Sequence, residues 1–586
     1  MCGVLGYFSN NKISNLQIHN LKKASNYLRD RGPDYMGTIR GEKYFLSNSR
    51  LKIVSKKNYI LPLFKHKNYI SFSGEILNYR SLRSFLITKK YKFRTETDTE
   101  VILSLYDFYG DKFVEYLEGF FSICIFDKKK NLVILAVDRI GNKSLFYNFT
   151  NKSIFFSSEQ SYMVKSNFLE FEINKKKVDE HVVFGDISGV ETLHKNINKI
   201  LPGQIVTYDF SKIKKSFWYS LSDFVKNYND PKKDLSLESS IETMNSSLKS
   251  TIDLWSNNSA YEKSVLLSGG VDSGLVAMLL SNRRLKNKLS SHTAKFTGEN
   301  HFISLNEDTE IDDIISAYNI KKSTIPCSKT SLLKNLDHIY SSFNEPLPSS
   351  SLLLSTLSQS ISKNTKERIC FTGDGADEVF GGYDRHNIIL KNYNRNKNIN
   401  TIALGFNYLT INRFKLFFNK DFVTPNTRLN FLKKLEGISA INKILLYDIN
   451  FYLPIFLRST EVIGMKSSIE YRSPFTDYKL IQESFRISDK YKLSLNSNKI
   501  ILKNIFLYYI KKKIKKKKLF SVPYIEDLFR NGLFKDMIMQ LTNNSKISDY
   551  YPVQGIKNLL KDHKRTNHAN TLMRLLTLEL FLQSKK

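Results

Sequence analysis

One segment, residues 263–280, restricts the folds open to this chain more than any other. Residues 265–267 (Val-Leu-Leu) are typical of a short buried strand, and S-G-G-V-D-S follows at 268–273. Residues 274–280 then have the apolar composition of a buried helix. Glycines let the backbone turn tightly, and the exposed N–H groups together with a helix N-terminus form a cradle for phosphate. The pattern therefore predicts an α/β domain with a nucleotide-binding loop between strand and helix.

The side chains of this loop suit a phosphate that carries magnesium. Asp272 offers a carboxylate to Mg²⁺, and the hydroxyls of Ser268 and Ser273 are hydrogen-bond donors. The run S-G-G-x-D-S is similar to the loop of ATP pyrophosphatases, and it differs from the G-x-x-x-x-G-K-[ST] loop of kinases and GTPases. An ordinary turn rich in glycine and serine is the alternative interpretation.

A second acidic loop supports the first interpretation. Residues 369–371 (Ile-Cys-Phe) are predicted to form a strand, and T-G-D-G-A-D-E follows at 372–378. In an open α/β sheet, ligands bind outside the carboxyl ends of the strands. We therefore expect this loop to lie beside the first one and to complete a Mg²⁺ site.

The N-terminus carries a second chemical signal, Met-Cys-Gly. Removal of the initiator methionine would make Cys2 the first residue, with a nucleophilic thiol and a free α-amino group. That amine has a pKa of about 7.7–8.0, so it can accept the thiol proton near neutral pH. Taken alone, a cysteine at position 2 is weak evidence for a nucleophile.

Length and composition set the broad class. A chain of 586 residues is too long for one core, so two large or three smaller domains are expected. The first 215 residues resemble a β-rich domain with a hairpin at 121–126 and 132–137, and residues 225–234 are a predicted linker. No continuous apolar run of membrane-spanning length and no signal peptide are evident, and four scattered cysteines suit a reducing cytoplasm.

The net charge of +33 has two interpretations. A basic chain suits a nucleic acid or an anionic surface as partner. Abundant Lys, Asn, Ile, Phe and Tyr, with lysines spread along the whole chain, instead indicate compositional bias, which we favour; nucleic acid is therefore not expected as a partner. The densest basic run, residues 511–518, is then interpreted as a solvated helix end or an anion-binding loop.

Several further motifs, in order along the chain, resemble those of the glutamine-hydrolysing asparagine synthetase family. The likeness covers nearly the full length. It implies an N-terminal nucleophile (Ntn) hydrolase αββα sandwich over residues 1–215, and a helix-rich ATP-pyrophosphatase domain with a doubly wound parallel sheet over residues 236–586. The matching motifs are M-C-G-V-L-G (1–6), R-G-P-D (31–34), G-E-I-L-N-Y-R (74–80), R-T-E-T-D-T-E (94–100), D-R-I-G (138–141), L-P-G (201–203) and S-I-E-Y-R-S-P-F-T-D (468–477).

This resemblance implies roles for residues of the first domain. Cys2 would attack the side-chain amide of glutamine and release ammonia. Gly74 and the residue before it would form the oxyanion hole, but Ser73 replaces the family's Asn, and losing one such donor typically costs about 10²–10³ in rate. The remaining glutamine-binding positions are Arg50 for the carboxylate, Asp98 for the ammonium, and Glu75.

The resemblance also assigns the second domain. Lys499 matches the family lysine that stabilises charge on the phosphates, although Asn498 and Lys503 replace its Gly and Arg neighbours. Lys517, in the basic run, matches a second phosphate-contacting lysine. Asp272 and Asp377 fit the Mg²⁺ role. The implied ATP-binding residues are Leu267, Ser268, Gly269, Gly270, Asp272, Ser273, Ala294, Asp374 and Gly375.

Two departures concern the acceptor carboxylate. The family's D-E-P-x-x-D-S-S reads N-E-P-L-P-S-S-S at 344–351, and its D-R-M-S-M-A reads E-V-I-G-M-K at 461–466. Both segments lie near the acceptor pocket in the family. We expect ATP- and Mg²⁺-dependent amidation of a carboxylate, aspartate by resemblance, with a sugar acid, a peptide or an internal cyclisation as the alternative. The resemblance also implies a cytoplasmic enzyme without a membrane partner, and it is compatible with a homodimer.

Overall fold

The fold consists of two antiparallel sheets followed by a parallel sheet surrounded by helices. The computed structural model describes residues 2–57, 59–228, 235–257, 259–283, 288–298, 300–343, 345–407, 409–510, 523–543 and 545–583.

Strands dominate the first part of the chain. They are β1 (Gly3–Ser9), β2 (Tyr35–Arg40), β3 (Tyr44–Arg50), β4 (Leu63–Lys65), β5 (Asn68–Ile76), β6 (Gly119–Asp127), β7 (Leu132–Val137), β8 (Phe146–Thr150), β9 (Ser153–Ser157), β10 (Asn198–Lys199), β11 (Gln204–Tyr208) and β12 (Ile213–Phe217). The helices are α1 (Asn15–Tyr27), α2 (Tyr79–Thr88), α3 (Asp98–Tyr109), α4 (Gln160–Lys165), α5 (Lys175–Phe184) and α6 (Leu221–Asn227).

These strands form two sheets that pack face to face. Among the described residues the strand orders are β10-β8-β9-β1-β3-β2 and β12-β11-β7-β6-β5-β4, with every pairing antiparallel. Aromatic and aliphatic side chains such as Phe8, Phe126 and Phe156 fill the layer between the sheets. Helices α2 and α3 cover one outer face, and α1 and α4 cover the other. The predicted αββα sandwich is therefore confirmed.

Helices dominate the second part. They are α7 (Leu237–Asn257), α8 (Val271–Ser281), α9 (Asn300–Ile303), α10 (Asp308–Tyr318), α11 (Lys329–Phe343), α12 (Ser350–Asn364), α13 (Ala376–Phe380), α14 (Asp384–Asn396), α15 (Ile399–Gly405), α16 (Ile411–Phe418), α17 (Asn426–Lys434), α18 (Ala440–Phe451), α19 (Leu453–Lys466), α20 (Tyr478–Arg486), α21 (Ile500–Ile510), α22 (Pro523–Asn531), α23 (Leu533–Asn543), α24 (Val553–Asp562) and α25 (Ala569–Gln583). The strands are β13 (Lys263–Leu266), β14 (Ser290–Phe296), β15 (Lys321–Cys327), β16 (Ile369–Phe371) and β17 (Glu470–Arg472).

The parallel sheet has the order β15-β14-β13-β16-β17 within the described residues. The chain leaves β13 to build one side of the sheet and later returns to its other side at β16. This reversal creates a crevice at the carboxyl ends of β13 and β16, where ligands bind in doubly wound sheets. The two predicted nucleotide loops both begin at this crevice, so the predicted doubly wound sheet and the position of its loops are confirmed.

Predicted elements differ from the structure mainly at their ends. The strand expected at 265–267 ends at Leu266, and the helix expected from residue 274 already begins at Val271, because the loop's second half is wound into the first helical turn. The hairpin of β6 and β7 is as predicted. The linker predicted at 225–234 is wrong for residues 225–227, which belong to helix α6. Residues 229–234 of this prediction lie outside the described part of the chain. The domain limits of 215 and 236 stay a prediction.

One stretch, residues 440–466, is long and apolar enough to cross a membrane by length and composition, with a mean hydropathy of 1.2 over its best window. In the fold it forms the consecutive helices α18 and α19, and 61% of that window is buried inside the protein. Since buried core helices pass the same test, this stretch is weak evidence for a membrane span.

Candidate active sites

A cavity in the first sandwich gathers most of the residues predicted to bind glutamine. It encloses about 520 Å³ of empty space, part of it open to solvent. Cys2, Arg50, Gly74 and Asp98 all line it, and we call it the thiol chamber. Its other lining residues are Leu51, Ile53, Val54, Tyr59, Leu61, Phe72, Thr97, Thr99 and Glu470.

Cys2 is fixed by its neighbours on the first sheet. The N–H of Gly3 donates to Ser49 Oγ at 2.9 Å, and Asn48 Nδ2 donates to the Gly3 carbonyl at 2.8 Å. Asn48 also accepts from the N–H of Phe72 at 3.1 Å, which joins the two sheets behind the cysteine. Burial raises the pKa of the Cys2 thiol, so a base must take its proton during attack.

Arg50 and Asp98 provide opposite charges in the chamber. The Arg50 guanidinium donates to the carbonyls of Lys57 at 2.7 Å and Ser55 at 3.2 Å, which orients it. Asp98 begins helix α3 and accepts the N–H groups of Ile76 at 3.1 Å and Thr99 at 2.9 Å. Burial raises the pKa of Asp98 to about 6. One cation and one carboxylate that ionises below neutrality suit the two ends of an α-amino acid.

The Ser73 hydroxyl is committed to the backbone of Cys2, and its predicted catalytic role stays a prediction. The hydroxyl is 2.7 Å from the carbonyl oxygen of Cys2 and donates to it. Gly74, by contrast, lines the chamber with a φ of +129°, and a Cβ atom there would lie 2.0 Å from the Phe120 carbonyl. Position 74 therefore requires glycine, while the Ser73 side chain braces the nucleophile's backbone.

Glu75 is not among the described residues that line the chamber, and its predicted glutamine-binding role stays a prediction. Its carboxylate pairs with Arg472 of the second sheet, and Arg472 Nε also pairs with Glu470 Oε1 at 2.8 Å. All three side chains are at most 1% exposed. Among the described residues lining the chamber, the second domain is represented by Glu470, so strand β17 forms part of the wall.

The nucleotide loop lies at the crevice between β13 and β16. Ser268 Oγ and Ser273 Oγ are 3.0 Å apart, and Ser273 Oγ also accepts the Ser268 N–H at 3.1 Å, which closes the loop on the first turn of α8. The N–H of Gly269 donates to a carboxylate oxygen of Glu307 at 3.0 Å. A backbone N–H that already holds one anionic oxygen is suited to hold a phosphate oxygen.

Lys499 joins the two predicted magnesium ligands. Its Nζ atom is 2.6 Å from Asp272 Oδ2 and 2.5 Å from Asp377 Oδ1. A Cβ atom on Gly382 would lie 1.8 Å from Asp377 Oδ1 and 1.9 Å from Lys499 Cε, so any other residue at position 382 would displace the pair. Two carboxylates that converge on one cation fit a Mg²⁺ ion, whose other ligands would be water and phosphate oxygens. No group of three or more His, Cys, Asp or Glu forms a metal cluster in the described residues.

The other predicted ATP-binding residues border the same crevice. Asp374 accepts from the Thr372 hydroxyl at 2.9 Å, and burial raises its pKa. Gly375 has a φ of +91° and is the N-cap residue that precedes helix α13. Leu267 donates its N–H to the backbone carbonyl of His292 at 3.0 Å. Ala294 lies on neighbouring strand β14, which pairs with β13. Lys517 and Asn344 lie outside the described residues.

A second cavity, the interdomain cavity, lies between the two sites. It encloses about 280 Å³ of empty space and is partly open. Two of its lining residues lead to the nucleotide loops: Thr460 Oγ1 is 3.5 Å from Asp374 Oδ2, and Ser473 Oγ is 2.8 Å from Thr372 Oγ1. The lining residues are Phe120, Asn142 and Lys143 from the first domain, and Trp255, Leu457, Thr460, Glu461, Tyr471 and Ser473 from the second.

A buried ionic network holds the domains together beside this cavity. Arg31 pairs with Glu159 and Glu461, and Arg458 pairs with Glu159 and with Glu345 Oε1 at 2.7 Å. Although burial raises the pKa of Glu461, its cationic neighbours Arg31, Lys143 and Arg458 bring it below the usual range. Each of the two segments that depart from the family motifs thus contains a paired carboxylate: Glu461 pairs with Arg31 across the interface, and Glu345 pairs with Arg458 within the second domain.

Three residues of these sites were not predicted from the sequence. Asn48 donates to the backbone beside Cys2, Glu307 accepts the N–H of Gly269, and Lys143 lines the interdomain cavity. For Asn48 the sequence offers a weak signal, because a polar residue within a strand needs a partner once the strand is buried, as β3 is. Glu307 and Lys143 depend on contacts with residues far along the chain, so local sequence patterns carry no signal for them.

Comparisons with known proteins match both halves. Residues 1–219 match the family model described as a glutamine amidotransferase domain, and residues 258–583 match that described as asparagine synthase. The chain is 25% identical to glutamine-hydrolyzing asparagine synthetase 1 of Bacillus subtilis (strain 168), over 96% of this chain and 93% of that protein. It is 28% identical to a putative glutamine-hydrolyzing asparagine synthetase 2 of Methanocaldococcus jannaschii, over 66% and 76%.

Among solved structures, similarity is found to the "allosteric regulatory enzyme of purine biosynthesis", with a TM-score of 0.30 and 12% identity. The match covers 56% of this chain and 80% of that one. A similarity this low adds nothing to the fold description above.

Proposed function

The chain belongs to the asparagine synthase family, whose members use ATP, and we propose that it makes an amide from a carboxylic acid with ammonia taken from glutamine. The proposed products are the amide, AMP, pyrophosphate and glutamate. Aspartate is the proposed acceptor.

The convergence of Cys2, Arg50, Gly74 and Asp98 on one chamber carries the glutaminase half of this proposal. Arg50 binds the carboxylate of glutamine and Asp98 its ammonium, which places the side-chain amide at the Cys2 thiol. The thiol attacks the amide carbon, and its proton passes to the α-amino group that becomes free when Met1 is removed. The α-amino group passes this proton to the amide nitrogen, which leaves as ammonia, and water then hydrolyses the thioester to glutamate and the free thiol.

The nucleotide crevice supports the synthetase half. The N–H groups of the 268–273 loop hold phosphate oxygens of ATP, and Asp272 and Asp377 would hold Mg²⁺. When bound, Mg²⁺ neutralises charge on the pyrophosphate. The acceptor carboxylate attacks the α-phosphate, and pyrophosphate leaves. Ammonia then attacks the acyl carbon of the acyl-adenylate, and AMP leaves as the amide forms. Lys499, already within reach of both carboxylates, stabilises the charge that develops on the phosphates.

We propose that ammonia passes inside the protein through the interdomain cavity. Gly74 on the chamber side is paired with Phe121, and the neighbouring Phe120 side chain lines the interdomain cavity. On the far side, Thr460 and Ser473 contact the Asp374 loop. An internal route is needed because ammonia in neutral water is mostly protonated and loses its nucleophilicity.

The acceptor is tested by ATP–pyrophosphate exchange. With the full-length chain, aspartate should stimulate exchange of labelled pyrophosphate into ATP, and uronic acids and peptides serve as comparison acids. Stimulation by a uronic acid or a peptide alone would replace aspartate as acceptor while leaving the adenylation chemistry in place. Formation of ADP would contradict adenylation itself.

A second candidate is an ATP-dependent ligase or cyclase of the same family that uses an amine other than glutamine-derived ammonia. The observation that favours it is Ser73, whose hydroxyl is committed to the Cys2 carbonyl and leaves the chamber without the family's Asn side chain. Glutamate release from glutamine, measured with and without ATP, separates the two. A chain without glutaminase activity but with exchange would be the cyclase.

A further inference from the structure

Lys143 is a buried lysine that faces the interdomain cavity. The residue is 3% exposed and lines that cavity. In the described part of the chain, no ion pair or side-chain hydrogen bond of its ammonium is found; the nearest recorded contact is the Phe120 ring, with Nζ 5.2 Å from its centroid. A buried cation without a partner is costly, so its presence calls for a function.

The carboxylates around Lys143 are committed to other groups. Glu461 pairs with Arg31 and accepts from the Ser144 hydroxyl at 2.9 Å. Glu470 pairs with Arg472. Asp138 accepts backbone N–H groups of its own loop, including that of Lys143 at 3.1 Å. Besides these three acids, Arg31 is the cationic neighbour of Lys143. Lys143 therefore interacts with these acids only through space, and none of them forms an ion pair with its ammonium in the described residues.

We propose that Lys143 is the selectivity residue of the ammonia passage: its positive charge excludes ammonium, potassium and sodium ions and lets neutral ammonia through. This inference rests on the proposed function, and it names the residue that controls transfer between its two sites. Positive charges at the narrow part of a pore exclude cations in the same way. Lys143 is a positioning residue here, because it forms no bond with the reacting atoms.

The surrounding charges explain what its loss would do. Without Lys143, the cavity loses a positive charge, while Glu461 and Glu470 remain among its charged neighbours. At the effective dielectric of a buried site, losing one nearby unit charge changes cation occupancy by at least about tenfold. A cation held in the cavity would block ammonia, and glutamine would be hydrolysed without amide formation.

The test compares Lys143→Met, which keeps the length of the side chain, with Lys143→Arg, which keeps its charge. Full-length protein is supplied with glutamine, ATP and the acid that best supports exchange, and amide and glutamate are both measured. We expect the ratio of amide to glutamate to fall about tenfold in Lys143→Met and to be retained in Lys143→Arg. Glutamate release and ATP–pyrophosphate exchange, each measured alone, should stay at wild-type rates in both variants.

A cation series supplies the readout that a merely structural role would not change. Potassium chloride should lower the ratio further in Lys143→Met, whereas tetramethylammonium chloride at equal ionic strength should lower it less, because the larger ion enters a packed cavity less readily. Lys177→Met removes a mostly buried, ion-paired lysine of α5 and should leave the ratio unchanged.

Three results would overturn the proposal. The first is a wild-type ratio in Lys143→Met, and the second is equal sensitivity to both salts. The third is a raised KM for the acid with normal transfer, which would make Lys143 a contact of the acceptor. If the wild-type chain itself releases no glutamate from glutamine, the proposed function fails first, and that result is visible before any variant is made.

Discussion

Glu75 and Arg472 form an ion pair that joins the two domains, although 397 positions separate them in the sequence. Their side chains are 1% and 0% exposed. Arg472 also holds Glu470, which lines the thiol chamber, so the same guanidinium stabilises the interface and one wall of the glutamine site. The two active sites are thus parts of one packed unit.

Replacing Arg472 with methionine should destabilise the protein strongly. The change leaves two buried carboxylates without their cation, and breaking such a pair typically costs about 3–5 kcal/mol. Chemical denaturation measures the loss. Lys415→Met is the matched control, because it removes a pair with Asp421 that is 63% and 77% exposed and should cost less than about 1 kcal/mol. Equal effects of the two variants would show that the buried pair contributes nothing special.

Glutamine binding should weaken as the pH falls through about 6. Burial raises the pKa of Asp98 from its usual value to about 6, so its carboxylate is ionised above that pH and protonated below it. Since the neutral acid cannot balance the glutamine ammonium, KM for glutamine should rise on acidification. Asp98→Asn should raise KM about 10- to 100-fold at pH 8 and remove this dependence. A wild-type KM that stays constant between pH 7 and 5 would contradict the assignment.

Ser73→Ala should slow glutamine hydrolysis without affecting adenylation. The lost hydroxyl donates to the Cys2 carbonyl at 2.7 Å, and a hydrogen bond of this kind contributes about 1 kcal/mol, which corresponds to a rate loss of several-fold. Glutamate release is the measurement. A loss of 10²-fold or more would instead be the effect expected of an oxyanion-hole donor. ATP–pyrophosphate exchange provides the internal control.

Lys499→Met should abolish exchange and leave glutaminase activity intact. Removing the cation takes away charge stabilisation on the phosphates, worth about 10²–10³ in rate, and leaves Asp272 and Asp377 facing each other. Lys322→Met is the control for loss of a lysine in the same domain. Lys322 lies on strand β15, and its Nζ atom is 2.5 Å from Oδ1 of Asp312 on helix α10. Normal exchange in Lys499→Met would remove this residue from the mechanism.

Features that depend on residues close together in the sequence could be predicted. The strand–loop–helix at 263–280 and the hairpin of β6 and β7 follow from short-range patterns, and both are present. The position of Glu75 could not be predicted, because its partner lies in the other domain. Lys143 shows the same limit, since only the packed interface reveals the cavity that it faces.

The most direct test of the two-site mechanism follows the nitrogen atom. The wild-type chain is given glutamine labelled with ¹⁵N at its side-chain amide, ATP, the acceptor acid and an excess of unlabelled ammonium. The account predicts that the wild-type amide carries ¹⁵N, with AMP formed in an amount equal to the total amide, and that Cys2→Ala forms only unlabelled amide. Wild-type amide without ¹⁵N, labelled amide from Cys2→Ala, or ADP in place of AMP would contradict it.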